Sequence, residues 1–195
     1  MQAPIRKLAY LGVFIALIMG VGYALVMVPN VELVTALIFL AGVLMGWRSG
    51  ILIGCVGEFL FSAFNPMGSG LLFPLMLVAQ VISMGVVGGV GGLCRSLVLE
   101  GNPGFGRNLV IGAVGCGLTL FYDILVSLAF PLMAGFDKKG IISTLVAGVV
   151  FSALHLVVNT LIFGGAGAPC CSSYFSSGTF FPGVLVKRLL FQRFI

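Results

Sequence analysis

The sequence predicts an all-α, polytopic membrane protein: a six-helix transmembrane bundle with both termini on the cytoplasmic side. Three observations predict it. Of 195 residues, 60% are hydrophobic and only 8% are charged, whereas a soluble domain carries about a quarter charged residues, so most of this surface must face lipid. The apolar residues fall in continuous runs, not in the apolar/polar alternation of a membrane barrel. Gly is abundant, at 29 residues, which suits helices that approach one another closely.

A spanning helix needs about 20 mostly apolar residues, and six candidate runs follow in order. The first, 8–28, comes after Arg6 and Lys7. It looks like a signal peptide, but it is longer than a usual h-region and further spans follow, so it reads as a retained helix. Pro29 and Asn30 end it, because Pro lacks the N–H that continues a helix and Asn suits turns. The second run, 31–47, is expected to stop at a tight turn made by Arg48, Ser49 and Gly50. The third, 50–64, is short for a full span and ends in the turn-rich stretch from Asn65 to Gly70. The fourth, 71–94, precedes a loop from Glu100 to Gly104. The fifth, 108–133, is expected to end around Pro131 and the stretch from Gly135 to Gly140, and the sixth is 141–163. Residues 1–163 thus form one transmembrane domain. Residues 164–195 form a Gly/Ser/Cys-rich cytoplasmic tail, with a basic amphipathic end (Lys187, Arg188, Arg193) that suits the inner leaflet.

Charge sets the orientation. With the N-terminus inside, Arg6, Lys7, Arg48, Arg95, Arg107, Lys187, Arg188 and Arg193 fall on the inner side, and only Lys138 and Lys139 on the outer. That asymmetry follows the positive-inside rule. It also accounts for the net charge of +5 without a nucleic-acid partner.

Catalytic and metal motifs are missing from the sequence. No CxxC occurs and there is one His, which argues against zinc. Cys55, Cys94 and Cys116 read as small packing residues. Cys170 and Cys171 read as an inert pair or a palmitoylation site. There is no GxxxxGK[ST], HExxH or GxSxG, so no nucleotide site, catalytic residue or cofactor is expected in this chain.

Polar groups at membrane depth are costly, so each is a functional candidate. Glu32 starts the second helix on the outer side, Asn65 ends the third, and Gln80 lies in the outer half of the fourth. Tyr122 and Asp123 lie in the fifth. His155 and Asn159, one turn apart, share a face of the sixth. Glu58 lies mid-way along the third. Each has a purely structural alternative. Glu32 suits a helix N-terminus, Tyr122 an interface, and Glu58, His155 and Asn159 can bond neighbouring helices. Asp123 is hardest to explain so, because an unpaired buried carboxylate is expensive. Together they predict a small acid-rich pocket opening outwards, suited to a cationic or hydrogen-bond-donating solute or to an ion. Phe64 or Phe121 is expected to stack on a bound ring. Gly12, Ala16 and Gly20 form a small-residue stripe on the first helix, for a partner helix or for packing within the chain.

Several stretches, taken in order, resemble a known family. They are Pro29-Asn30-Val31-Glu32-Leu33, the run from Thr35 to Gly42, Asn65-Pro66-Met67-Gly68, Ala79-Gln80, Tyr122-Asp123, and His155 to Asn159. Over about residues 5–163 the chain resembles the substrate-binding S component of energy-coupling factor (ECF) transporters. The resemblance implies a six-helix subunit in a prokaryotic cell membrane that captures a vitamin or related micronutrient on the outer face. It implies partners, namely a transmembrane coupling subunit and two cytoplasmic ATPases, with Gly12, Ala16 and Gly20 at the coupling-subunit dock. It implies a subunit that topples in the membrane to carry its substrate inwards. Two other readings stand beside it: a stand-alone ion-coupled carrier using Glu58 and Asp123, and a non-transport scaffold of the MreD type. The six spans do not divide into two similar halves, which counts against inverted-repeat carriers.

Overall fold

The computed structural model describes residues 2–28, 33–99 and 104–166. Among them all regular structure is helical. The order is α1 (Gln2–Leu25), α2 (Val34–Met45), α3 (Trp47–Ala63), a 3-10 turn (Gly70–Leu72), α4 (Pro74–Leu93), α5 (Arg95–Leu99), α6 (Phe105–Met133) and α7 (Lys138–Ala166). Four helices are long and apolar enough to cross a membrane: α1 over Ile5–Leu25, α4, α6, and α7 over Lys138–Gly165. At 1.5 Å per residue, α2 with 12 residues and α3 with 17 span about 18 and 26 Å, less than the roughly 30 Å of hydrocarbon.

Of these two, α2 is mostly buried, whereas α3 keeps Trp47, Ile51, Leu52 and Phe59 exposed. Half of the α4 span is buried, against 11% for α1 and 6% for α7, so α4 is central and α1 and α7 are peripheral. α2 and α3 fold back on each other and both pack on α4, which also carries α6; α7 lies along α6, and α1 covers α3 and α2. The buried core runs through Ile18, Ile38, Val43, Ile53, Met84 and Val87.

Glycine decides how close the central three helices come. A Cβ at Gly50 or Gly42 would overlap the Gly88 carbonyl oxygen, and one at Gly88 would overlap that of Gly50. Backbone therefore lies directly on backbone, the geometry that small residues permit in membrane helix pairs.

One turn differs from the expected one. The α2–α3 turn is at Gly46, with φ +87°, where the missing Cβ removes the left-handed penalty. Arg48, Ser49 and Gly50 lie within the first turn of α3, and Gly50 serves packing, not the turn. α6 ends at Met133, the expected place, with Pro131 buried in its last turn. The break comes at Gly135, φ +71°. Asp137 then accepts a 2.8 Å bond from the Gly140 N–H, an N-cap that starts α7 at Lys138. Of the tail expected over 164–195, α7 takes the beginning; residues 167–195, with Cys170, Cys171 and the basic end, lie outside the described residues.

Candidate functional site

Polar side chains from α3, α4, α6 and α7 meet in one band of the bundle. On α3, Glu58 (2% exposed) and Ser62 are one helical turn apart and both are buried. Ser62 Oγ lies 2.8 Å from Glu58 Oε1 and 3.2 Å from Gln80 Oε1 on α4. The Gln80 Nε2 lies 3.4 Å from the Tyr122 hydroxyl on α6. The Tyr122 ring meets the His155 ring of α7 edge to face, with centroids 6.0 Å apart at 76°. His155 Nδ1 is 2.7 Å from Asp123 Oδ1, with both side chains about nine-tenths buried.

When Asp123 is ionised its carboxylate only accepts, and His155 Nδ1 is then the donor in this contact. One turn on, Asn159 is completely buried. Among the described residues neither its Oδ1 nor its Nδ2 has a hydrogen-bond partner, and Asp123 Oδ2 is also without one. Buried polar atoms are rarely left so, because each costs about 1–3 kcal/mol.

The structure therefore brings together Gln80, Tyr122, Asp123 and His155, with Asn159 buried one turn along α7 from His155. It does not bring Asn65 to them through its side chain, whose Oδ1 accepts the Met67 N–H at 2.9 Å in a local turn. Glu32 lies outside the described residues. Phe64 and Phe121, expected to stack on a ligand, are exposed at 66% and 38%; the aromatic face within the cluster is that of Tyr122. Ser62 was not among the expected residues, yet it joins Glu58 to Gln80. Its spacing of four from Glu58 in an apolar run is the sequence signal that places both on one helix face.

The stripe on α1 faces away from the bundle. Gly12, Ala16 and Gly20 are exposed, and a Cβ at Gly12 or Gly20 would meet nothing within 4 Å. The opposite face makes the internal contacts: Ile18 is buried, and a Cβ on Gly22 would strike the Phe61 ring. At the other end of the cluster's helices, the Arg48 guanidinium sits 5.1 Å from the centre of the Trp47 ring.

Among the described residues no three His, Cys, Asp or Glu side chains form a metal-binding group. The Gln80 carboxamide, Tyr122 phenol, Asp123 carboxyl and His155 imidazole form a dense set of hydrogen-bond donors and acceptors. Comparison with known families, with curated proteins and with solved structures finds no match.

Proposed function

We propose that this chain is the substrate-binding membrane subunit of an ATP-driven importer of the ECF type, capturing a water-soluble micronutrient at the outer face of a prokaryotic cell membrane. One observation carries the reading. Polar atoms of Asp123 and Asn159 are buried without partners beside His155, at a cost a purely structural bundle would gain nothing from. A scaffold would favour apolar side chains at these positions.

The reading uses six spans, with α2 and α3 as short ones shielded by α1 and α4. It places Arg48, Arg95 and Arg107 on the inner side and Lys138 and Lys139 on the outer side. The polar cluster then lies in the outer half, towards the α3–α4 and α6–α7 connections. Asn159 is enclosed, so a solute reaching it must part α7 from its neighbours. α7 is held mainly along α6, which makes it the mobile wall. The outward stripe of Gly12, Ala16 and Gly20 is a dock for a coupling subunit, which would bring the two ATPases that this chain has no motif to replace.

The test is to purify the chain from its native membrane and identify any retained small molecule by mass spectrometry. Retention of one micronutrient by the native chain, and its loss in Asp123→Ala, is the expected result. Co-purification of coupling and ATPase subunits, abolished by Ala16→Leu with ligand retention intact, is expected as well. The His155–Asp123 pair and buried Glu58 favour one other reading, a proton-coupled carrier. Uptake that continues without ATPases and collapses with the proton gradient would decide for it.

A further inference from the structure

Three atoms on the seam between α6 and α7 define what would complete them. Asn159 Oδ1, Asn159 Nδ2 and Asp123 Oδ2 are buried without a hydrogen-bond partner among the described residues. A carboxamide oxygen and an ionised carboxylate oxygen accept, and a carboxamide nitrogen donates. With Asp123 ionised, the seam therefore offers two acceptors and one donor.

The register of the two helices sets these atoms at neighbouring levels. Asp123 meets His155 at 2.7 Å, and a Cβ on Gly115 would strike the Phe163 ring, so α6 and α7 run antiparallel. One turn from each of these rungs, Thr119 on α6 stands level with Asn159 on α7. Cα–Cβ bonds tilt towards the N-terminus of their helix. The Asp123 bond thus tilts towards the Asn159 level, and the Asn159 bond tilts back towards the Asp123 level. Thr119 is buried and its hydroxyl donates to the Gly115 carbonyl of its own helix at 2.9 Å, so its proton does not serve Asn159 Oδ1. Past Asn159 the seam closes on an apolar layer, where the buried Phe163 ring packs on Phe39 of α2 with centroids 5.0 Å apart at 60°. Asn108 Oδ1, another partnerless oxygen on α6, lies beyond that layer.

Simple ions answer only part of this set. A bare cation suits the two oxygens but not the amide N–H. An anion suits the N–H but faces the Asp123 carboxylate. A neutral group with a C=O flanked by N–H answers all three atoms. We propose that Asn159 is the residue that selects the solute, pairing with an edge in which an N–H adjoins a C=O, and that Asp123 Oδ2 takes a second N–H. The ligand class is a solute carrying a cyclic amide or cyclic urea. This deepens the solute-capture reading and rests on it.

The experiment adds three small rings to the purified full-length chain in lipid nanodiscs: cyclopentanone, 2-pyrrolidinone and 2-imidazolidinone. They share ring size and C=O and carry no, one and two N–H groups. Affinity is read from the dependence of the unfolding midpoint on ring concentration. Each added N–H should tighten binding about tenfold, since it pairs a buried acceptor otherwise left bare. Asn159→Leu should bring all three rings to one weak level. Asp123→Ala should erase the gain from 2-pyrrolidinone to 2-imidazolidinone and keep the gain from the first N–H. Equal affinities in the native chain, as packing alone or waters at these atoms would give, overturn the proposal. So does a graded series that survives Asn159→Leu. Co-purified coupling subunits alongside a flat series would sink the edge selection and leave the importer standing. No retained native molecule and no response to any ring would sink both.

Discussion

Asn159 is the residue where stability and function pull apart most clearly. It is fully enclosed, and its two carboxamide atoms have no partner among the described residues. Asn159→Leu keeps much of the volume and removes both orphans. It should leave the protein equally stable or more stable by about 1–3 kcal/mol, read as a raised midpoint of thermal unfolding in detergent, while abolishing retention of the solute. A fall in the midpoint would show that the amide is a structural tie. His155→Ala should act oppositely. It strands the Asp123 carboxylate in a buried place, and breaking a buried pair costs about 3–5 kcal/mol in soluble proteins. Membrane interiors soften such penalties to about 1–2 kcal/mol per interhelical bond, so a drop of several degrees is expected. The double variant His155→Ala with Asp123→Ala should recover part of it. The candidate polar residues were legible in the sequence because hydrocarbon makes each polar side chain conspicuous. Their partners were not, since pairing depends on which helix faces meet. Ser62 escaped notice for that reason.

At the level of elements, α2, α3 and α4 are held by backbone-to-backbone contact at Gly42, Gly50 and Gly88. Gly88→Val has nowhere to put its side chain except into the Gly50 carbonyl, so it should abolish folded, monodisperse protein in size-exclusion chromatography. Gly117→Ala meets nothing within 4 Å and should be neutral, or slightly stabilising because Ala has the better helix propensity. Equal behaviour of the two would mean that the central glycines do not set the helix spacing. The breaks between elements were legible only where a residue has a local reason to stop a helix. The Asn65–Gly70 loop is such a place, with the Met67 and Leu71 N–H groups held by the Asn65 and Ser69 side chains. At Arg48–Gly50 the polar and small residues looked like a turn, but the turn is at Gly46. A glycine needed for a positive φ and one needed for close packing are the same letter in the sequence.

At the scale of the whole molecule, the bundle has chemically distinct ends. Arg48, Arg95 and Arg107 belong to one, and Lys138 and Lys139, at the start of α7, to the other. In a background lacking the native cysteines, Lys138→Cys should react with a membrane-impermeant maleimide in intact cells. Arg48→Cys should react only after the membrane is opened. The reverse pattern would put the polar cluster in the inner half and remove the outward-facing capture site.

Composition and run length alone predicted a helical chain with helices long and apolar enough to cross a membrane, because hydrocarbon tolerates neither abundant charge nor unpaired backbone. They also singled out Gln80, Tyr122, Asp123, His155 and Asn159 as costly. Only the packing of four helices decided that Gln80, Tyr122, Asp123 and His155 share one place, that Glu58 reaches them through Ser62, and that the short helices α2 and α3 both pack on α4. Such outcomes depend on contacts between residues distant in the chain, which hydropathy, a local property, does not encode.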